Sequence, residues 1–234
     1  MKGVFAINII DFIKSNQAYF EDYITRSTYH SNGIEGNTLS YAETYAILFN
    51  DNSLKISSSP REIYEAINHK YALSYIIDNI DSDLTERFIK NIAIQINKNI
   101  MEIDGYRTTQ VFIQGAEHIP PAANMINQSM MFFVHNYNDA VYDNTFDKIA
   151  INHLQFEQIH LFSDGNGRTG RLLIDFELLK NNIPPVVIPK DERTRYFDMI
   201  SKSDMVSLSG YFRELSETEK ARLKQFDVEN DLEL

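Results

Sequence analysis

The feature that most constrains the fold is the spacing of the apolar residues, which recur every three or four positions along most of the chain. This spacing places apolar side chains on one face of a helix, so it predicts helices over residues 7–29, 85–101, 123–136, 145–159, 168–181, 191–201 and 208–215. Two more helices have start signals of their own. Ser40 with Glu43, and Ser59 with Glu62, have the capping-box pattern, and Pro60 suits a first helical position.

One segment departs from the helical pattern. Residues 109–113 are rich in β-branched and aromatic side chains, they lie between Gly105 and Gly115, and Pro120 and Pro121 follow them. Such a run between turn residues predicts a short β-hairpin. No linker or internal repeat interrupts the chain, so the predicted fold class is all-α with one short hairpin.

Composition excludes several functions. The 234 residues carry 33 acidic and 22 basic side chains, for a net charge of −11, which disfavours broad binding to nucleic acid. There is no cysteine, so disulfides, thiolate metal sites and cysteine nucleophiles are excluded. No stretch is apolar and long enough to span a bilayer, and the N-terminus has no signal-peptide pattern. We therefore expect a cytoplasmic protein with neither a membrane nor a nucleic-acid partner.

The chemically informative stretch is HLFSDGNGRTGR, residues 160–171. Glycines let the backbone turn its N–H groups toward one point, and the start of the next helix adds unpaired donors, so this loop predicts an anion site. Arg168 and Arg171 oppose the helix dipole there, which suits a polyphosphate ligand better than it suits stability. Asp164 is a carboxylate of the kind that holds Mg²⁺, and His160 can act as a general base. The combination predicts phosphoryl or nucleotidyl transfer.

The same stretch resembles the Fic-family signature H-x-F-x-[DE]-G-N-G-R-x-x-R and agrees with it at every fixed position. Leu161 stands where many members have proline, which affects only the rigidity of the loop. The chain has neither a P-loop motif nor an H-E-x-x-H motif. The resemblance covers about residues 28–212 and implies a Fic-like helical domain with a β-hairpin flap.

A second segment, SNGIEG at residues 31–36, resembles the inhibitory motif [ST]-x-x-x-E-[GN] of the family. Ser31 and Glu35 are one helical turn apart and share a face, and Gly36 suits the position after a helix. Taken alone, Glu35 reads as a solvated residue near a helix end. Beside the signature, the resemblance implies a class with an N-terminal inhibitory helix, in which Glu35 pairs with Arg171 through a bidentate contact at the place of the γ-phosphate.

A third segment, residues 105–121, resembles the family's flap, which aligns a target segment by strand addition. An ordinary hairpin explains this sequence equally well. The residues expected to dock the target are Arg107, Val111, Phe112 and Ile113.

The resemblance implies a protein adenylyltransferase that moves AMP from ATP onto a Ser, Thr or Tyr hydroxyl of a target protein, including itself. Mg²⁺ is expected on Asp164, and His160 is expected to accept the hydroxyl proton. The expected phosphate-binding residues are Gly165, Asn166, Gly167, Arg168 and Arg171, with the Asn166 side chain helping. Phe162 is expected to pack beneath the loop, and Tyr196 to flank the adenine.

The predicted organisation is an N-terminal inhibitory region (residues 1–39), a catalytic domain (residues 40–215) and a C-terminal helix and tail (residues 216–234). Alternatives remain: transfer of another phosphate-containing group such as UMP or phosphocholine, removal of AMP with Glu35 orienting a water, or a non-catalytic nucleotide-binding switch. The presence of His160 argues against the switch, because a pure binder needs no base. The sequence leaves open the target and whether the chain forms a homo-oligomer.

Overall fold

The computed structural model describes residues 8–49, 54–112 and 118–231, and these residues form ten α-helices and no strand. In chain order the helices are α1 (Ile9–Ser15), α2 (Gln17–Ile34), α3 (Tyr41–Phe49), α4 (Pro60–Asp78), α5 (Glu86–Ile96), α6 (Ile126–Asp139), α7 (Thr145–Ile159), α8 (Asn166–Lys180), α9 (Arg193–Ser201) and α10 (Met205–Asp231). Short 3₁₀ turns at Ala123–Met125 and Lys190–Glu192 lead into α6 and α9. The all-α prediction is therefore confirmed for these residues.

The helix starts follow local side-chain chemistry. Ser59 and Glu62 form the predicted reciprocal capping box at the start of α4, with Pro60 as its first residue. Asn16 divides the first predicted helix in two, because its backbone is extended and its side chain caps the start of α2. Helix α10 is much longer than the predicted 208–215 and continues across the predicted boundary between residues 215 and 216.

Helix α8 lies at the centre of the fold and contacts α2, α4, α5 and α7. Nearly all of its side chains are buried, since it has a core on each side. Leu172 and Phe176 pack into a core formed mainly with α1, α2, α4, α5 and α6. Ile174 and Leu178 pack into a second core with α7, α9 and α10. The start of α8 is thus anchored rigidly, which fixes the loop that precedes it.

The predicted hairpin is not observed in the described part of its segment. Residues 105–112 and 118–121 are irregular, and Ile113 lies outside the described residues. The described parts of the segment are held together by a side chain instead of by strand pairing: the Arg107 guanidinium donates to the carbonyls of Thr109 and Pro121.

None of the described helices is both long and apolar enough to cross a membrane.

Candidate active site

The loop between α7 and α8 is shaped by its own side chains. His160 ends α7 with a left-handed backbone (φ 48°, ψ 60°) and donates its N–H to the carbonyl of Phe156. Asn166 closes the loop: its Oδ1 accepts from the N–H of Phe162 at 2.9 Å, and its Nδ2 donates to the Phe162 carbonyl at 2.8 Å. The Asn166 side chain was expected to help hold phosphates. Both polar atoms take part in closing the loop, but the amide nitrogen carries two donors and only one is used there, so the contact with a phosphate stays a prediction.

Two glycines of the loop are required by close contacts. Gly165 has φ 78°, and a Cβ there would lie 2.7 Å from the amide nitrogen of Asn97. A Cβ at Gly167 would collide with the Glu35 carboxylate. The backbone at the start of α8 is therefore open to close approach by an anionic group, and in this structure that group is Glu35.

Arg171 and Glu35 form the predicted ion pair. Arg171 Nη2 lies 2.8 Å from Glu35 Oε1. The same nitrogen also donates to the carbonyl of Ser31 at 2.9 Å, and Arg171 Nε donates to the Ser31 hydroxyl at 2.9 Å. The pair is not bidentate as predicted: only Nη2 bonds Glu35, Ser31 takes Nε and shares Nη2, and Nη1 has no hydrogen-bond partner among the described residues. Burial alone would lower the pKa of Arg171, but the charge of Glu35 raises it, so the cation is retained.

At the other end of the site, Asp164 contacts two arginines. Its Oδ2 accepts from Arg61 Nη2 at 2.5 Å, and its Oδ1 accepts from Arg168 Nη2 at 3.1 Å and from the N–H of Gly165 at 2.6 Å. Arg168 is only 2% exposed and also lies 3.4 Å from Glu65. Arg168 therefore sits on the floor of the site between two carboxylates, and its predicted contact with a phosphate stays a prediction.

These residues surround an open pocket of about 540 Å³. His160 and residues 163–168 line one side, residues 35–37 line another, and Arg61, Glu62 and Glu65 of α4 close it. Arg171 does not line the pocket, since Glu35 lies between them. The pocket thus brings together His160, Asp164, the start of α8 and Glu35, as predicted from the sequence.

His160 is half-buried beside this pocket. Burial and the neighbouring Arg107 cation lower the pKa of His160, and the charges of Glu35 and Asp164 oppose that shift. The net lowering keeps the imidazole neutral at neutral pH, which is the form that can accept a proton.

The remaining predicted residues lie outside the pocket. Tyr196 is fully buried, with its hydroxyl 2.6 Å from His153 Nε2, so it is a core residue and its assignment to adenine is wrong. Phe162 is fully buried beneath the loop, as expected. Phe112 is 77% exposed and Val111 partly so, whereas Arg107 is 3% exposed and cannot present its side chain to a docking target in this arrangement.

Sequence reasoning missed five residues of the pocket, which are Asn37, Arg61, Glu62, Glu65 and Ser163. Arg61 and Glu65 lie one turn apart on α4, joined at 3.0 Å, and Glu65 also accepts from Asn37 at 2.9 Å. The only available signal was an unusual concentration of charge in the first turns of α4, and it gives no indication of which distant loop those charges face.

Residues 83–178 match the family model described as the Fic/DOC family. The chain is 31% identical over 212 residues to the protein adenylyltransferase Fic of Drosophila melanogaster, covering 87% of this chain and 41% of the relative. It is 32% identical over 200 residues to the protein of the same name from Aedes aegypti, covering 82% of this chain and 39% of the relative. The chain thus spans about two fifths of the length of these curated relatives.

Solved structures show the same fold. A Fic domain-containing signaling protein from Bacteroides thetaiotaomicron superposes with a TM-score of 0.78 at 22% identity, covering 93% of this chain and 94% of that one. Fic-1 from C. elegans superposes with a TM-score of 0.76 at 24% identity, covering 96% of this chain and 67% of that one. Together with the matched family model, these similarities show that the chain contains a Fic/DOC-family domain, matched over residues 83–178, and has the fold of these Fic proteins.

Proposed function

We propose that this chain is a protein adenylyltransferase, which transfers AMP from ATP to a Ser, Thr or Tyr hydroxyl of a protein substrate, including the chain itself. The observation that carries the proposal is the placement of His160, Asp164 and the start of α8 around one pocket. The name of the curated relatives, protein adenylyltransferase Fic, supports the same activity.

The start of α8 is the proposed phosphate site. The first N–H groups of a helix have no partner within the helix, and the positive end of its dipole favours anions. The backbone of Gly165, Asn166 and Gly167 would hold the phosphates of ATP, and Arg171 would neutralise the terminal one once Glu35 has left. Arg168 would act from below the loop, where it already holds Asp164.

Asp164 fits a magnesium ion that arrives with the nucleotide. Mg²⁺ is usually held by one or two carboxylates together with phosphate oxygens. The described residues contain no cluster of three or more metal-binding side chains, so the protein alone does not form a cage. Asp164 would hold the ion, which when bound neutralises charge on the phosphates. Arg61, which now pairs with Asp164, would have to release it.

His160 would take the proton of the attacking hydroxyl. The hydroxyl oxygen forms a bond to the α-phosphorus, the bond from that phosphorus to the β-phosphate oxygen breaks, and pyrophosphate leaves. The lowered pKa of His160 supports this role because the imidazole is neutral before the attack.

Glu35 would inhibit this reaction in the resting protein. It occupies Arg171 and fills the space beside Gly167, where a phosphate would otherwise approach. We propose the corresponding division into an inhibitory region over residues 1–39, a catalytic domain over residues 40–215 and a C-terminal part over residues 216–234, whose boundary with the catalytic domain falls inside α10.

Removal of AMP is a second candidate function. Glu35 and His160 line the same pocket, so a carboxylate is available there to orient a water toward a phosphodiester. Incubation of an AMP-modified protein with wild type and with Glu35→Gln separates the two activities, because only removal of AMP requires the carboxylate.

The proposal is tested by intact mass of the protein after incubation with ATP and Mg²⁺, together with an assay for released pyrophosphate. Glu35→Gly should gain an adenylyl group, and the added change His160→Ala should abolish the gain while ATP binding persists. His135→Ala, an exposed histidine of α6, is the matched control. A His160→Ala protein that still transfers AMP at the parent rate would exclude His160 as the base.

A further inference from the structure

Arg107 is a buried cation with no carboxylate partner among the described residues. Its side chain donates to four main-chain carbonyls: His160 at 2.7 Å, Thr109 at 2.8 Å, Pro121 at 2.6 Å and Ile159 at 3.4 Å. Its own N–H donates to the carbonyl of Leu161 at 2.9 Å. Every one of these contacts is to backbone, which is unusual for a buried charge.

The physical reason for this arrangement lies at the end of α7. The last carbonyls of a helix lack intrahelical partners and carry the negative end of its dipole. A guanidinium satisfies several of them at once because its donors are arranged in a rigid fork. Burial lowers the pKa of Arg107, but a guanidinium remains protonated in proteins, so its charge is retained at this position.

These contacts fix the residue that carries the base. His160 has a left-handed backbone, which a residue other than glycine adopts only when its surroundings hold it there. Arg107 binds the carbonyls of Ile159 and His160 and, through its own N–H, that of Leu161. The main chain is therefore clamped before, at and after His160.

From this geometry we infer that Arg107 is a positioning residue, which holds His160 in its working orientation and joins it to both ends of the segment between Thr109 and Pro121. The inference rests on the proposed role of His160 as the base. It replaces the assignment of Arg107 to target docking, since the side chain is buried behind the loop.

The charge of Arg107 should also affect the pH dependence of the rate, which can be measured separately from the rate itself. The charged groups that face His160 are Arg107, Glu35 and Asp164, and of these only Arg107 lowers the pKa of His160. Removing the Arg107 charge should therefore move the acidic limb of the rate profile to higher pH. A substitution that merely loosened the fold would lower the rate without moving that limb.

The experiment compares Arg107→Ala and Arg107→Lys in the Glu35→Gly background. We expect Arg107→Ala to lower kcat by about a hundredfold, the effect of misplacing a catalytic group by about 1 Å. The KM for ATP should change less than about twofold, because Arg107 does not line the pocket. A loss confined to kcat indicates that the variant affects the transition state and not the binding of ATP. Arg107→Lys, which keeps the charge, should retain the parent pH profile at a reduced rate, and millimolar guanidinium should restore part of the Arg107→Ala activity.

Arg26→Ala is the matched control. The Arg26 side chain is only 13% exposed, but it pairs with Asp22 and Glu219 away from the pocket, so its removal should lower Tm without moving the pH profile. The inference is overturned if Arg107→Ala keeps the parent kcat, or if its loss matches that of Arg26→Ala with an unchanged pH profile. If Arg107→Ala does not fold, an Arg107→Lys protein at the full parent rate overturns it equally. An active His160→Ala protein would instead refute the proposed function.

Discussion

The pocket has an arginine–carboxylate pair at each end, and the two pairs differ in what surrounds them. Arg171 is buried, with a side chain 7% exposed, and Ser31 holds it through two further hydrogen bonds besides Glu35. Arg61 is 53% exposed and reaches Asp164 from the edge of the pocket. The exposed pair is the shorter, at 2.5 Å against 2.8 Å. Distance is thus a poor guide to strength here, and burial decides which pair resists displacement.

The free energies of the two ion pairs differ because water reaches them to different extents. Breaking one side of a partly buried pair costs about 2–4 kcal/mol, since a charge is left without a partner. An exposed pair contributes at most about 1 kcal/mol, because water and salt screen it. We therefore expect the Glu35–Arg171 pair to control whether a nucleotide binds productively, and the Arg61–Asp164 pair to yield readily to a metal ion.

The largest effect should come from Glu35→Gly. Freeing Arg171 should raise self-modification by at least about tenfold, a lower bound set below the roughly 30- to 1,000-fold range that corresponds to the energy of the pair. Glu35→Gln, which keeps the shape of the side chain but not its charge, is the control, and its rate of self-modification should also rise. Initial rates from intact mass check this. A Glu35→Gly protein that folds and binds ATP but is no faster than wild type would contradict it.

Asp164→Asn tests the other end of the pocket. Loss of the carboxylate should raise the Mg²⁺ concentration needed for half-maximal rate by at least about tenfold. This is a lower bound, because loss of a residue that only hydrogen-bonds to a metal ligand already costs about tenfold or more. The measurement is a Mg²⁺ titration of the rate in the Glu35→Gly background. Activity that persists in excess chelator would refute the assignment of Asp164.

Ser31→Ala should raise the rate of self-modification, as Glu35→Gly does, but by a smaller factor. It removes one hydroxyl hydrogen bond to Arg171, worth about 1 kcal/mol, and so should raise self-modification about fivefold. The Ser31 carbonyl bond to Arg171 remains in the variant, which limits the effect. Combining Ser31→Ala with Glu35→Gly should add nothing further, and an additive gain would argue against a shared mechanism.

Arg61→Ala should have the smallest effect. Because the pair with Asp164 is exposed, its removal should lower the Mg²⁺ requirement by only about twofold, with little change in Tm. Arg195→Ala, which breaks exposed pairs with Glu192 and Glu214, is a suitable control. A Mg²⁺ requirement that rises instead would indicate that Arg61 binds the nucleotide rather than restraining Asp164.

The sequence predicted best what depends on neighbours in the chain. The bounds of α7 and the cap of α4 follow from local periodicity and capping chemistry, and the Glu35–Arg171 contact follows from a motif resemblance. Arg61 could not be predicted as a neighbour of Asp164, because 103 residues separate them and only the packing of α4 against α8 joins them.

Two misassignments have a related cause. The sequence assigns Tyr196 by its position after the signature and Arg107 by the resemblance of its segment to the family's flap, and neither indicates which way a side chain faces. Tyr196 turns toward His153 inside the second core, and Arg107 turns toward the end of α7. Both orientations depend on tertiary packing, which overrides any local pattern.

Because Glu35 and Arg171 belong to one chain, their contact is a unimolecular equilibrium that dilution does not shift. If closure is favoured by about 2–4 kcal/mol, only about 3% to 0.1% of molecules are open at any moment, and the apparent Kd for a ligand of the open state rises by the reciprocal of that fraction. A partner that holds the C-terminal end of α2 away from α8 would need to supply no more than this energy. The same contact would therefore make the protein responsive to modest binding events at the C-terminal end of α2.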